Sequence, residues 1–364
     1  RMNKVRKIES IFELARIILA LVIAYGLSLL CLILVTEDPL EAVYMFAIGP
    51  FTSMRRFGQV VVKFIPYALC GVGMCFMYAS NRFSMFGEGA YLMSGCFVAV
   101  VAFLLEPFNL PLLVMLPILL IVGGFFGGLI GFTPAALGAK LKLNELVTST
   151  MLNYVCLYFS LWILKVYLAD PDITFFASRL LPDNVRLPQI VDRSTIHAGL
   201  FIAPIFIVIA VIIFFRTRLG FSIRICGSNR DFAKFSGINY YKSIIWAHTI
   251  GGVLVGIGAC VDLLGIYDRY LWNEITNYGF YGLVSAVLAR KNPIFAPLGA
   301  FLLAYMHTGA SILNYTSEVP IEFVQIMQAL LILLISAQTF LRKTKNKLIF
   351  KDSQDAIMKE GKTA

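Results

Sequence analysis

AGLFIAPIFIVIAVIIFF (198–215), RTRLGFSIRICGSNRDFAKFSGIN (216–239) and, after two tyrosines, KSIIWAHTIGGVLVGIGACVDLLGI (242–266) run consecutively through this chain. The outer two runs are apolar and long. At a 1.5 Å rise per residue, about 20 such residues cross the hydrocarbon of a bilayer. The middle run is polar, with Arg216, Arg218, Arg224, Arg230 and Lys234 against a single acid, Asp231. Asn229 can cap a short helix there, with Asp231 in the first turn and Gly237 as the stop. Span, basic connector, span is the signature of an all-α polytopic integral membrane protein. A short capped basic helix between spans is placed to press on a soluble partner.

Composition agrees. The 364 residues are 59% hydrophobic and 14% charged, whereas a soluble domain is nearer about 25% charged. The net charge of +10 does not indicate nucleic acid. The basic residues cluster at Arg1–Lys7, Lys140 and Lys142, Arg216–Lys234, Arg290 and Lys291, and Arg342–Lys351, on alternate sides of successive spans, as the positive-inside rule requires. The basic-then-apolar N-terminal stretch has too long an apolar run for a signal peptide and no small-residue cleavage site. It is read as a retained span.

Expected spans lie near 17–35, 61–80, 87–105, 111–138, 145–167, 198–215, 242–266, 278–290, 293–311 and 321–341, about ten by the length ruler. They place residues 1–341 in one transmembrane domain, with both termini cytoplasmic and a charged cytoplasmic tail at 342–364. The pieces at 278–290 and 293–311 are read as shorter helices around a basic turn. Pro39–Pro50 is read as an amphipathic element in the outer interface. External connections carry the acids, and the long 168–197 connection, with Pro171, Pro182 and Pro188, is expected to hold little helix. Gly123, Gly127 and Gly131, and Gly252, Gly256 and Cys260, repeat every four residues, the spacing of close helix packing in lipid, with a hinge as the alternative. The seven scattered cysteines read as packing residues.

No nucleotide-binding, hydrolase or metal-ligand pattern is present. Gly361-Lys362-Thr363 ends like a phosphate loop, but the first glycine of that pattern would fall at Ala356. The chain is therefore read as non-catalytic, binding no cofactor or metal, with any ATP chemistry on a partner. Two segments carry polar groups into apolar spans. In NRFSMFGEGAYLM (81–93), Glu88 stands between Gly87 and Gly89. It is either part of a solute path beside a broken helix or a carboxylate serving a helix N-terminus. In NELVTSTMLNY (144–154), Glu145, Ser149 and Asn153 share one helix face, which either lines a path or bonds to neighbouring backbone. Asp262 and Asp268 read either as acids bordering the outer mouth of a path or as plain interfacial groups.

Four segments together resemble the permease subunits of bacterial ATP-binding-cassette importers that serve branched-chain amino acids, simple sugars and nucleosides. They are DPLEAVYMFAIGPF (38–51), RFSMFGEGAYL (82–92), NELVTSTMLNYV (144–155), and CGSNRDFAKFSGI (226–238) with GFYGLVSAVLARKNP (279–293). The set is most similar to the nucleoside and simple-sugar type and covers nearly the whole chain in order. The resemblance implies the large-importer permease fold, a location in the bacterial cytoplasmic membrane and a homologous second permease making a heterodimer. It further implies a cytoplasmic double-cassette ATPase holding ATP-Mg and an extracellular substrate-binding lipoprotein. It makes the helix at about 228–238 the element coupling to the ATPase, through Gly227, Asn229, Arg230, Asp231, Ala233, Lys234 and Gly237. Where the family reads F-N-I-G-A-E-G-Q, Phe83, Glu88 and Gly89 hold, but Ser84, Phe86 and Ala90 depart, so the ligand can differ.

These readings give an importer subunit that moves a nucleoside or simple sugar by alternating access, along a path marked by Phe83, Glu88, Ser149, Asn153 and Tyr154, embedded in lipid and not contacting nucleic acid. The alternative is a secondary transporter driven by an ion gradient, which needs intramembrane acids for coupling.

Overall fold

A computed structural model describes Gly26 and residues 39–316, apart from 175, 192 and 193. Apart from Gly26, the expected span at 17–35 lies outside the described residues, as do the expected span at 321–341 and the tail at 342–364. The chain divides into two compact units, Gly49–Thr308 and a second made of Arg1–Ile48 with Gly309–Ala364. In the second unit, helix α1 (Pro39–Ala47) approaches Gly309 so closely that a Cβ there would lie 2.5 Å from the Phe46 carbonyl oxygen.

The larger unit is helical, with no strand among the described residues beyond the two isolated bridges Ala169–Ser178 and Gln189–His197. Its helices are α2 (Met54–Ala79), α3 (Gly87–Leu105), α4 (Leu112–Leu141), α5 (Glu145–Ile163), α6 (Gly199–Arg216), α7 (Arg218–Ser228), α8 (Arg230–Phe235), α9 (Tyr240–Ile266) and α10 (Tyr278–Leu288). Helix α11 (Ala296–Thr316) begins in this unit. Seven helices among the described residues are long and apolar enough to cross a membrane, and α10 is a shorter apolar helix. Each expected span between 61 and 311 falls on one of these eight. Helix α2 starts at Met54 rather than near 61, because Ser53 caps it by accepting from the Arg56 amide. Hydropathy alone reads the following Arg55, Arg56 and Gln59 as a break.

Helix α9 is the hub, packed against α2, α3 and α4. The α4–α9 contact is a seam of small residues. A Cβ on Gly127 would run into the Gly252 carbonyl oxygen, and one on Gly256 into that of Gly123. The four-residue glycine spacing is thus a packing device, with backbone against backbone.

The basic clusters of this unit gather at one end. Glu145 pairs with Arg82 at 3.6 Å, and Ala79, Arg224, Gly227, Lys291 and Asn292 line one small cavity. At the other end the 168–197 connection holds little helix, as expected, and is tied to the last turn of α9 and the chain that follows it. The Leu187 amide donates to Leu264 O at 2.9 Å and the Ser178 amide to Tyr270 O at 3.1 Å. Arg186 pairs with Asp268 at 2.9 Å. Hydrogen bonds from the Asp172 amide and from Arg269 hold the Asp170 carboxyl below the usual carboxylate range. His197 is fully buried, and burial lowers its pKa to about 4.

Candidate functional site

The chain breaks between α2 and α3. Helix α2 ends at Ala79, Asn81 takes a left-handed φ of 55°, and residues 82–86 run without helix before α3 starts at Gly87. The backbone groups freed by such a break need partners inside a membrane. The polar face of α5 supplies them. Ser149 Oγ accepts from the Met85 amide at 2.8 Å. Asn153 donates through Nδ2 to Met85 O at 2.7 Å and accepts through Oδ1 from the Gly89 amide at 2.9 Å. One turn earlier, Glu145 approaches both Arg82 and His248, at 3.7 Å. The stripe read from sequence is therefore a bracket around the break. Tyr154, on the neighbouring face of α5, is half exposed and does not join it. Phe83 is partly exposed and leans on Tyr78 at 5.8 Å between ring centroids.

Glu88 is buried in the first turn of α3, yet it serves another helix. Its Oε1 accepts from the Phe280 amide at 2.7 Å and its Oε2 from Thr276 Oγ1 at 3.4 Å. Phe280 lies in the first turn of α10, so the carboxylate satisfies an amide that α10 cannot bond internally. The two helix starts abut, since a Cβ on Gly279 would lie 2.5 Å from the Glu88 amide nitrogen. The Glu88 carboxyl group thus sits where two positive helix ends converge.

Between α9 and α10, residues 267–277 contain no helix yet pass alongside the middle of α3. Tyr270 Oη donates to Leu92 O at 3.3 Å, and Trp272 covers Gly95. There they meet a cluster that the sequence reading did not assemble. Asp262 is fully buried, and its Oδ2 accepts from Tyr91 Oη at 2.6 Å. The sequence places it near the outer end of a span, at a mouth or an interface. The structure instead puts it inside the helix packing, while Asp268 stays exposed in its pair with Arg186. The Tyr91 ring stacks on Tyr278 at 4.9 Å and 13° and lies 4.8 Å from Trp272. Tyr67 meets Tyr278 at 5.2 Å and Tyr281 at 4.9 Å. Lys63 of α2 bonds His307 at 2.6 Å and attracts Asp262 electrostatically. The available sequence signal was one acid inside an otherwise apolar run. The aromatic partners, scattered from 67 to 281, have no shared spacing. No group of three or more His, Cys, Asp or Glu suited to a metal occurs among the described residues.

At the basic end, α8 has both caps. Asn229 Oδ1 accepts from the Phe232 amide at 2.9 Å. The Ile238 amide donates to Ala233 O at 2.9 Å and the Gly237 amide to Lys234 O at 3.1 Å, a Schellman closure with Gly237 at φ 74°. Ala233 is buried, whereas Asn229, Arg230, Asp231, Lys234 and Gly237 are exposed and Phe235 is 92% exposed. Arg230 lies over the Tyr240 ring at 4.8 Å, and Gly227 packs on the backbone of Ala79. The sequence reading had not separated α7 from this segment. Thr217 caps α7 by accepting from the Gly220 amide at 3.2 Å, and Ile223 and Cys226 bury one side of it.

The profile of the family described as "Branched-chain amino acid transport system / permease component" matches residues 56–336. The chain is 28% identical to the "Nucleoside ABC transporter permease protein NupB" of Lactococcus lactis, over 95% of this chain and 97% of that one. It is 28% identical to the "Guanosine ABC transporter permease protein NupP" of Bacillus subtilis, over 82% and 86%. It is 25% identical to the "Glucose ABC transporter permease protein TsgB13" of Haloferax volcanii, over 92% and 90%.

Proposed function

Because the chain belongs to the branched-chain amino acid transport system / permease component family, we propose that it is the non-catalytic, membrane-spanning subunit of an ATP-binding-cassette importer carrying a nucleoside or simple sugar inward. Relatives named for nucleosides, guanosine and glucose, similar over most of their length, support that substrate range. The observation that carries the coupling role is α8. It is closed at both ends, buried only at Ala233 and otherwise exposed, and it joins α9 through Asn239, which caps that helix by accepting from the Lys242 amide at 3.0 Å. A force applied to α8 therefore reaches α9, and through α9 both the α4 seam and Asp262.

In this reading α8 docks on a cytoplasmic double-cassette ATPase that holds ATP-Mg. Closure of the cassettes tilts α9 and switches the path from outward to inward access. A homologous second permease completes the membrane part as a heterodimer, surrounded by lipid, in the bacterial cytoplasmic membrane with both termini inside. A lipoprotein delivers the solute from outside. Gly227, Asn229, Arg230, Asp231, Ala233, Lys234 and Gly237 form or support the docking element. Phe83 and Glu88 border the path, Ser149 and Asn153 hold its backbone wall, and Tyr154 is set to meet lipid or the second permease.

The test is uptake by cells expressing the chain with its neighbouring ATPase and lipoprotein. Uptake should collapse when ATP is depleted and persist when ion gradients are dissipated. The reverse result would establish the secondary-transporter alternative. A cysteine placed at Lys234 should be labelled from the inside, and labelling from the outside would end the coupling reading.

A further inference from the structure

We propose that Asp262, with Tyr91, Tyr278 and Trp272, is the recognition centre for a planar heterocycle bearing N–H donors, the base of a nucleoside; this rests on the importer reading above. Three independent observations carry it. First, residues 267–277 are non-helical while lying alongside Leu92 and Gly95, in the middle of a span. Irregular backbone at that depth occurs where protein or a cavity surrounds it, and broken helices of this kind build the solute sites of transporters.

Second, Asp262 is fully buried, and its Oδ1 has no hydrogen-bond partner among the described residues. That oxygen is left to accept from an N–H or O–H donor of a solute. Tyr91 holds the other oxygen and orients the group. Third, the rings beside it are already arranged for stacking. Tyr91 and Tyr278 are nearly parallel, and Trp272 tilts against Tyr91. Tyr278 is only partly buried, and its ring is separated from the buried carboxyl group by Tyr91 alone. A planar base can replace one ring of such a ladder, because every base presents a π face. A pentose offers hydroxyl donors to Asp262 but no face for the stack.

The experiment uses the whole complex in detergent, with Trp162 and Trp246 changed to Phe so that Trp272 is the last tryptophan of this chain; it adds inosine, uridine or ribose and subtracts the signal of the same complex carrying Trp272→Phe. Saturable quenching by the nucleosides, absent with ribose, is the expected result. Asp262→Asn should raise the half-saturating nucleoside concentration at least tenfold. Tyr278→Leu, at a less buried position, should raise the half-saturating nucleoside concentration at least threefold. That variant keeps the idea testable should Asp262→Asn fail to assemble. Equal responses to ribose and nucleoside, or an unaltered half-saturation in both variants, would overturn the proposal. If the native complex imports a solute yet Trp272 is silent, the importer reading stands and this site falls. If ATP-replete cells expressing the complex take up neither a nucleoside nor a simple sugar, the importer reading itself fails.

Discussion

Glu88 accepts a hydrogen bond from the backbone amide of Phe280 at 2.7 Å, although the two residues are 192 positions apart in the chain. The first turn of α3 therefore caps the first turn of α10, and two interrupted stretches of chain are fastened at one point. Glu88→Ala leaves that partly buried amide unpaired, a loss of about 1–3 kcal/mol. Glu88→Gln keeps an acceptor and should lose less. The melting temperature of the purified complex should fall in the order wild type, Gln, Ala. If both variants melt like wild type while uptake stops, Glu88 acts on the solute and not on the fold.

Asn153 bonds both sides of the break before α3, to Met85 O and the Gly89 amide. Asn153→Leu removes both bonds and should destabilise the protein by about 2–6 kcal/mol, two unpaired groups at about 1–3 kcal/mol each. Membrane abundance is the readout. Normal abundance with slow uptake would instead place Asn153 in the path.

Gly127 touches the Gly252 carbonyl across the α4–α9 seam. Gly127→Val has no space and should destabilise by about 1–3 kcal/mol through overpacking, visible as a lower melting temperature. Gly26, where nothing lies within 4 Å, is the matching control and should tolerate Ala.

Helix α8 should be sensitive at both caps. Asn229→Ala removes the N-cap, worth about 1 kcal/mol, and Gly237→Ala forces a side chain into φ 74°, at about 1–2 kcal/mol. Combined with Asp231→Ala, they should leave the protein inserted while ATP hydrolysis proceeds without uptake. Tight coupling in the triple variant would exclude docking through α8.

His197 gives a pH dependence. Its folded pKa is near 4, against an ordinary value of 6.5, so the unfolded chain takes up the proton first. Its contribution to stability is whole above pH 6.5 and is lost as the pH falls towards 4. The melting temperature of wild type should drop across that window more than that of His197→Gln.

The class of fold and its order of spans follow from composition and length, because lipid offers the backbone no hydrogen bonds, so a lipid-facing helical span bonds within itself and needs a long apolar run. The caps of α8 were legible for a related reason. Asn229 and Gly237 act within a few residues of their own positions, and local geometry is written locally. The shared face of Glu145, Ser149 and Asn153 was legible as well, but its purpose was not, since the atoms it bonds belong to residues 82–89.

The polar centre had no such local signature. Asp262, Tyr91, Tyr278, Trp272 and Tyr67 come from α9, α3, α10, the 267–277 segment and α2. Hydropathy registered one acid near a helix end and tyrosines spread through an aromatic-rich chain. Packing made them neighbours, because contact distance in a folded helical protein is set by which helix faces meet across the bundle, and separation along the chain carries no information about it.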